Sequence, residues 1–359
     1  MKNMPATRQI INISGQLLAW YDLHQRKLPW RAVGDEVPDP YRVWLSEIML
    51  QQTQIITVVP YFNRFIKLWP GIKNLADADI NNVLREWAGL GYYARARNMH
   101  RSAQIIAYDH SGQFPKEEAE LLKLPGVGPY TAAAVAAIAF GKQATPVDGN
   151  VERVIARLHR IRTPIQDNKL IIRSLASQIA PKTRTGDYAQ AVMDLGATVC
   201  TPRNPICSAC PITEFCKAFS HEETDIIPIS KGRKKIPKRT GTAYVIFNDA
   251  NQILLYRRPK TGLLGGMLEV PSAGWEEHKQ HDELIKEAKR DTKNLTEIPG
   301  SVKHVFTHFK LELVVVALRL KRHKRFLNQR WYSLDEIEKI GLSKLMLKVV
   351  QHFKSTLES

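Results

Sequence analysis

The tightest constraint on this chain is its cysteines. Cys200, Cys207, Cys210 and Cys216 lie within 17 residues as C-x6-C-x2-C-x5-C, and the other 342 residues contain none. In a reducing compartment, disulfides are disfavoured. Four thiolates this close can then wrap one metal centre, either an iron–sulfur cluster or a structural zinc, since both accept such a donor set. The spacing alone leaves these two open. A reducing compartment is the expectation, because Met1–Ile11 is basic and polar with no apolar core leading to a small-residue cleavage site. The longest apolar candidate, Tyr130 to Phe140, is Ala-rich and falls well short of the ~20 residues that span a bilayer. A soluble, cytoplasmic protein is predicted.

The cysteine loop needs a folded module to hold it, and the residues before it supply one. At roughly 150 residues per domain, 359 residues suggest two or three domains. From Arg8 to about Phe219 the apolar residues recur at helical spacing, with a broad apolar face over Tyr41 to Phe62. Further helices read at 79–87, 95–108, 116–123, 130–140, 151–158, 167–179 and 186–199, punctuated by proline and glycine. Strand signals take over after residue 240, at 242–247, 252–257 and a long β-branched stretch at 302–320, with helices at 281–290, 334–340 and 345–357. The predicted organisation is an all-α module over 1–220, a basic linker over 221–240 and an α+β domain over 241–359.

Charge points to the partner. The chain has 52 Lys+Arg against 35 Asp+Glu, a formal net of +17. Residues 231–359 carry +12 of that excess, and 231–240 alone carry +6. Folding does not require such an excess, and it suits nucleic acid or an anionic lipid surface. The run Lys231, Arg233, Lys234, Lys235, Lys238 and Arg239 is a solvated linker that can also contact phosphate.

Four local patterns could carry chemistry. In Leu124-Pro125-Gly126-Val127-Gly128-Pro129-Tyr130-Thr131-Ala132, two glycines make a tight hairpin and Pro129 opens a helix. The free amides of that helix start suit a phosphate. Glu47 lies among apolar residues in Trp44-Leu45-Ser46-Glu47-Ile48-Met49-Leu50. If buried, its pKa rises and it becomes a proton donor near neutral pH; if it faces water, it is an ordinary surface Glu. Asp148 in Asp148-Gly149-Asn150 is either a helix cap or a second acid facing a developing positive charge. Gly91-Tyr92-Tyr93-Ala94-Arg95 interleaves aromatics with arginine, which suits stacking on bases or packing between helices.

Together these residues resemble the helix–hairpin–helix DNA glycosylase superfamily, specifically adenine DNA glycosylases of the MutY type. Leu28-Pro29-Trp30-Arg31, Gln51-Gln52-Thr53-Gln54 and Met193-Asp194-Leu195-Gly196-Ala197 add to the match, which runs over nearly the whole chain. The resemblance implies a multidomain fold, an all-α glycosylase module with a [4Fe–4S] loop on the four cysteines plus a C-terminal α+β Nudix-like domain. It implies a monomeric base excision repair enzyme that removes adenine opposite 8-oxoguanine, or guanine, from double-stranded DNA, with the base flipped out of the stack. Glu47 matches the general acid and Asp148 the carboxylate beside the oxocarbenium-like sugar, with Tyr130 and Asn150 in support. Arg26, Trp30, Arg31, Leu50 and Gln190 match the adenine pocket; Gln51 belongs to the same DNA-binding segment, and Gly126 and Gly128 to the hairpin. Gln52 and Tyr92 match residues that wedge into the duplex, and Arg203 and Lys217 lie beside the cluster loop against phosphate. Phe306, Thr307 and His308 match the lesion-inspecting loop, with Thr where many members have Ser.

Endonuclease III-type glycosylase/lyases have a similar scaffold but a Lys at the position of Tyr130, and only an amine forms the Schiff base that leads to strand cleavage. A monofunctional glycosylase is therefore expected, with Lys142 a nearby amine for weak lyase activity. The alternatives are an endonuclease III-like lyase acting on oxidised pyrimidines and a non-catalytic iron–sulfur DNA-binding protein. Region 274–290 lacks the Glu cluster of magnesium-dependent Nudix hydrolases, so nucleotide hydrolysis is not expected.

Overall fold

A computed structural model describes residues 6–34, 36–232, 236–259, 262–275, 285–286, 295–320 and 329–357. The helices, in chain order, begin with α1 (Ala6–His24), α2 (Pro40–Leu50), α3 (Ile55–Leu68), α4 (Ile72–Asp77), α5 (Ile80–Trp87) and α6 (Ala94–Gln104). There follow α7 (Glu118–Leu121), α8 (Pro129–Phe140), α9 (Gly149–His159), α10 (Lys169–Gln178), α11 (Thr185–Thr198), α12 (Lys217–Ser220) and α13 (Lys344–Leu357). The strands are β1 (Lys238–Asn248), β2 (Gln252–Arg257), β3 (Leu268–Glu269), β4 (Ser272–Ala273), β5 (Leu295–Val305), β6 (Lys310–Leu320) and β7 (Gln329–Ser333). Backbone contacts group the chain into two units, Met1–Asp77 with Asn98–Arg233, and Ala78–Arg97 with Lys234–Ser359. Among the described residues no helix is long and apolar enough to cross a membrane.

The first unit is helical, as its periodicity predicts. α8 is apolar on every side, and Thr131, Ala132–Ala137 and Ala139 are buried, so it runs through the interior against α2, α7 and α11. Its small side chains let neighbours approach closely. α11 packs on α1, α8 and α9, and Leu17, Ile155, Leu158, Ile172 and Leu195 form the core between them. A Cβ at Gly196 of α11 would fall 2.6 Å from Asn150 Cβ, so α11 reaches the start of α9 only because position 196 has no side chain.

One long apolar run proves to be two helices. Tyr41 to Phe62 divides into α2 and α3 at residues 51–54, where Gln52 takes φ +58°. Gln is rare in that left-handed region, and sequence periodicity has no signal for it. Asp39 caps α2 by accepting from Tyr41 N at 2.8 Å, with Pro40 in the first turn. The helix expected at 116–123 shrinks to the single turn of α7.

The second unit is built on a sheet of order β3-β2-β1-β6-β5, with β4 paired to β1 and β7 to β2. β1 and β6 are parallel, in register from Lys238↔Lys310 to Asn248↔Leu320, and the other pairs are antiparallel. α13 lays Leu345, Met346, Val349, Val350 and Phe353 on Val245, Leu313 and Val315. Lys238 and Arg239 of the basic stretch already belong to β1. The expected continuous 302–320 strand is a hairpin instead, since Phe306 N donates to Phe309 O at 2.9 Å and turns the chain between β5 and β6. Residues 334–340 form turns rather than a helix; Leu334 and Ile337 still bury, so the apolar spacing serves core contact without helical backbone. Most of the expected helix at 281–290, and most of the 274–290 region that lacks the Nudix Glu cluster, lie outside the described residues.

The contact at Gly196 is testable. Gly196→Ala should destabilise the protein by about 1–3 kcal/mol through overpacking on Asn150, read as a lower denaturation midpoint at unchanged m-value.

Candidate active site

In the first unit a cavity of about 710 Å³ opens between the loop after α1, α2, α8, the start of α9 and α11. Arg26, Trp30, Arg31, Glu47, Leu50, Gln51, Gln52, Tyr130, Asp148, Asn150 and Gln190 all line it, so the sequence-assigned catalytic and adenine-pocket residues come together. Val43, Ser46, Glu47 and Leu50 recur at three- and four-residue spacing, which sets them on one face of α2 and explains why Glu47 points into the cavity.

Glu47 is only 5% exposed, which decides between the two sequence readings: it is not a surface carboxylate. Burial pushes its carboxyl up to about 7. The Tyr130 hydroxyl and Arg31 pull the other way, while nearby Asp148 adds to the rise. Among the described residues Glu47 Oε2 has no hydrogen-bond partner. This carboxyl holds a proton near neutrality and has an oxygen unclaimed by the fold. Burial also keeps the Tyr130 phenol neutral, and its hydroxyl lies 3.7 Å from Met193 Sδ.

Asp148 is the helix cap that its sequence position allowed, and its carboxylate also lines the cavity. Its Oδ1 accepts from Asn150 N at 2.9 Å and Val151 N at 2.8 Å, capping α9, while Oδ2 accepts from Asn150 Nδ2 at 2.8 Å. The cap fixes the carboxylate at the cavity wall. Asn150 is fixed in turn, because Arg153 Nη2 donates to its Oδ1 at 2.8 Å.

Asp194, quoted in the motif before the cysteines but given no role, organises one wall. It is fully buried on α11 and accepts from Arg31 Nη1 and Nη2, both at 2.7 Å, and from Arg26 Nε at 2.7 Å and Arg26 N at 3.1 Å. Burial alone would raise its carboxyl, but the two guanidiniums hold it below the usual carboxylate range. An acid inside an apolar helical run was the available signal, the same one that marked Glu47.

The hairpin has the backbone its sequence requires. Gly126 takes φ +78°, and a Cβ there would fall 2.8 Å from Asn98 Cβ. Ser102 Oγ donates to Pro125 O at 2.7 Å, and Gln51 Nε2 donates to Gly126 O and Thr131 Oγ1 at 3.3 and 3.1 Å, tying the end of α2 to the turn. Gly128 caps α8 with extended backbone and Pro129 opens its first turn, so the hairpin leads directly into the helix whose Tyr130 lines the cavity. Lys142 does not line the cavity; its Nζ pairs with Glu117.

The four cysteines are half-buried, three of them against the core of α9 and α11. Burial pushes the Cys207, Cys210 and Cys216 thiols up, and Cys200 stands close enough to all three to push them further. Arg157, 1% exposed, donates from Nη1 to Cys200 Sγ at 3.2 Å. Among the described residues the side chains do not form a ready-made metal cage, but thiols close enough to feel one another, with a buried cation on Cys200, suit a thiolate-ligated group of net negative charge. Arg153 Nε donates to Cys200 O at 2.7 Å, so the cysteine loop is bonded to the helix that begins at Asp148.

Tyr92, Phe306, Thr307 and His308 belong to the second unit. Thr307 and His308 are exposed at the β5–β6 turn, and Phe306 stacks on Trp275 with centroids 6.1 Å apart. Tyr92 is 46% exposed and takes φ +48°.

Three family models match the chain. The HhH-GPD superfamily base excision DNA repair protein matches residues 45–181, the iron-sulfur binding domain of endonuclease III matches 200–216, and the NUDIX domain matches 242–352. The adenine DNA glycosylase of Homo sapiens is 33% identical over 408 residues, covering 96% of this chain and 74% of that protein. The adenine DNA glycosylase of Buchnera aphidicola subsp. Baizongia pistaciae (strain Bp) is 33% identical over 343 residues, covering 94% of this chain and 95% of that one. Among solved structures, a thermostable thymine-DNA glycosylase superposes with a TM-score of 0.54 at 27% identity, covering 60% of this chain and 98% of its own.

Two stability measurements probe the site. Asp194→Asn strands two guanidiniums, one of them buried, and should cost about 3–5 kcal/mol in denaturant unfolding. Glu47→Gln should do the reverse. The folded carboxyl titrates near 7 and an unfolded one near 4.5, so the native state keeps a proton between those values and wild-type stability falls as pH rises through that window. The Gln variant should be more stable by on the order of 2–3 kcal/mol at pH 8, with no gain at pH 4.

Proposed function

The chain belongs to the adenine DNA glycosylase family, and from that membership we propose that it excises adenine paired with 8-oxoguanine, or with guanine, from duplex DNA. It is a DNA glycosylase of base excision repair, and its cysteine loop holds a [4Fe–4S] cluster on Cys200, Cys207, Cys210 and Cys216. The observation that carries the mechanism is Glu47: a buried carboxyl pushed up to about 7, with one oxygen that has no partner among the described residues, set in a cavity large enough for a purine.

Adenine is a poor leaving group as an anion, so cleavage of its N-glycosidic bond needs a proton on the base as the bond breaks. Glu47 donates its proton to adenine N7, and the base departs neutral. The sugar is left with oxocarbenium character, and the Asp148 carboxylate, held by the N–H groups of Asn150 and Val151, faces that charge. Water then adds at the anomeric carbon, its proton passing to the Glu47 carboxylate. Tyr130 offers a phenol where a lyase needs an amine, and Lys142 is engaged with Glu117, so the reaction ends at the abasic site. The extrahelical adenine sits among Arg26, Trp30, Arg31, Leu50 and Gln190.

Duplex binding uses the Gly126–Gly128 hairpin on phosphate, with Arg203 and Lys217, both exposed, beside the cluster loop. When bound, the cluster braces that loop through four sulfur bonds. Gln52 and Tyr92 wedge into the stack; both are non-glycine residues held in left-handed backbone, which supports a purpose beyond folding. Phe306, Thr307 and His308 read the lesion from the NUDIX domain. The protein acts as a monomer on cytoplasmic chromosomal DNA in this reading.

The test is single-turnover excision from duplexes carrying adenine opposite 8-oxoguanine, with an oxidised-pyrimidine duplex as control. Adenine loss with strand breaks only after alkali is expected; efficient borohydride trapping, or activity only on the pyrimidine, overturns the proposal. The rate should fall as pH rises through about 7, because the acid form of Glu47 is lost. Glu47→Gln should lower excision at least a hundredfold, the scale of a general acid, while the mismatch still binds.

A further inference from the structure

Two side chains with separate assignments meet within the second unit. Tyr92 Oη lies 2.6 Å from Thr307 Oγ1, both within the second unit. Each sits on an anchored segment. Behind Tyr92, Trp87 Nε1 donates to Gly91 O at 3.0 Å and Arg95 Nη2 to Leu90 O at 3.1 Å, while the Arg95 guanidinium lies 5.2 and 5.5 Å from the Trp87 and Tyr92 ring centres. Arg97 Nη1 donates to Gly265 O, fastening this segment to the sheet unit. Thr307 tops the turn closed by Phe306 N on Phe309 O at 2.9 Å. Under it, Phe306 stacks on Trp275 and Phe309 carries the Arg239 guanidinium 4.4 Å from its ring centre. Their tips meet through these two hydroxyls, and either oxygen can be the donor.

We propose that Tyr92 is a positioning residue for lesion recognition: its oxygen takes the Thr307 proton and so presents Thr307 Oγ1 to the base as an acceptor only. This rests on the reading of Thr307 as the group that inspects 8-oxoguanine. A hydroxyl has one proton and two lone pairs. Guanine presents a lone pair at N7, whereas 8-oxoguanine carries hydrogen there. A freely rotating hydroxyl satisfies both bases, donating to guanine N7 or accepting from the lesion's N7–H, and so distinguishes neither. Once its proton is committed to Tyr92 Oη, Thr307 Oγ1 bonds the N7–H of 8-oxoguanine and repels the lone pair of guanine. Discrimination then comes from the direction of one hydrogen bond. The Tyr92 ring retains its wedging surface, and its own proton points away from Thr307.

The experiment measures single-turnover adenine excision opposite 8-oxoguanine, guanine and 7-deazaguanine, whose C7–H removes the repelling lone pair. The proteins compared are wild type, Tyr92→Phe, Thr307→Ala, Thr307→Ser and the Tyr92→Phe/Thr307→Ala double variant. Tyr92→Phe should reduce the 8-oxoguanine-to-guanine ratio about 5–10-fold, the worth of one hydrogen bond. Thr307→Ala should reduce it at least as far, the double variant should match Thr307→Ala, and Thr307→Ser should keep the wild-type ratio. Wild type should cut faster opposite 7-deazaguanine than opposite guanine, and Tyr92→Phe should not. If Thr307→Ala lowers the ratio while Tyr92→Phe leaves it intact, or if the two effects add, the relay is wrong and Thr307 remains the reader. If Thr307→Ala leaves the ratio unchanged, the reading of Thr307 itself fails and the relay falls with it.

Discussion

The wall of the cavity depends on a carboxylate that is itself shut off from the cavity's solvent. Asp194 is wholly buried, and its two oxygens receive hydrogen bonds from both Arg26 and Arg31. Such a cluster is costly to desolvate and holds only because the ion pairs are bidentate and satisfied. It fastens the loop after α1 across α11 and makes that loop a cavity wall. It also fixes the cation that faces Glu47. Arg31 favours ionised Glu47, so a guanidinium less fully committed to Asp194 would pull that buried carboxyl down toward its ordinary range.

Glu47 therefore balances two demands. Catalysis needs a carboxyl that keeps its proton near neutrality, and folding would be easier with no titratable group there. Burial on α2 with one oxygen unpartnered is the compromise, and part of the free energy of folding is held in the site as readiness to donate. Asp148 meets the opposite requirement by the opposite means. It is exposed enough to face a cavity, yet three N–H donors from the start of α9 keep its orientation fixed.

Much of this was legible from residue types. Periodicity located the helices because their cores are packed by apolar stripes, and the four cysteines announced a metal centre because nothing else explains such crowding. Glu47 and Asp148 stood out as acids in contexts where acids need a reason. What escaped were features that depend on backbone angles or on partners distant in sequence. The break at residues 51–54 comes from a Gln in a left-handed conformation, and Gln has no helix-breaking signature. The turn at Phe306–Phe309 lies inside an unbroken β-branched and aromatic run, and it closes because those rings have Trp275 to pack on. Asp194 could be seen as odd, but its partners lie more than 160 positions away.

The helix α9 joins two parts that the sequence presents as unrelated. At its start are Asp148 and Asn150, and from its body Arg153 and Arg157 reach the Cys200 segment, Arg153 also bonding Asn150 and Gly196 O. One guanidinium is thus shared by the cysteine loop and the cap at the cavity wall. A substitution at Arg153 or in the cysteine loop is, mechanically, a substitution at that wall, whatever its distance from the cavity. Maps of inherited variation drawn as shells around the cavity will therefore misplace this helix, whose tolerance to change follows its bonds and not its radius.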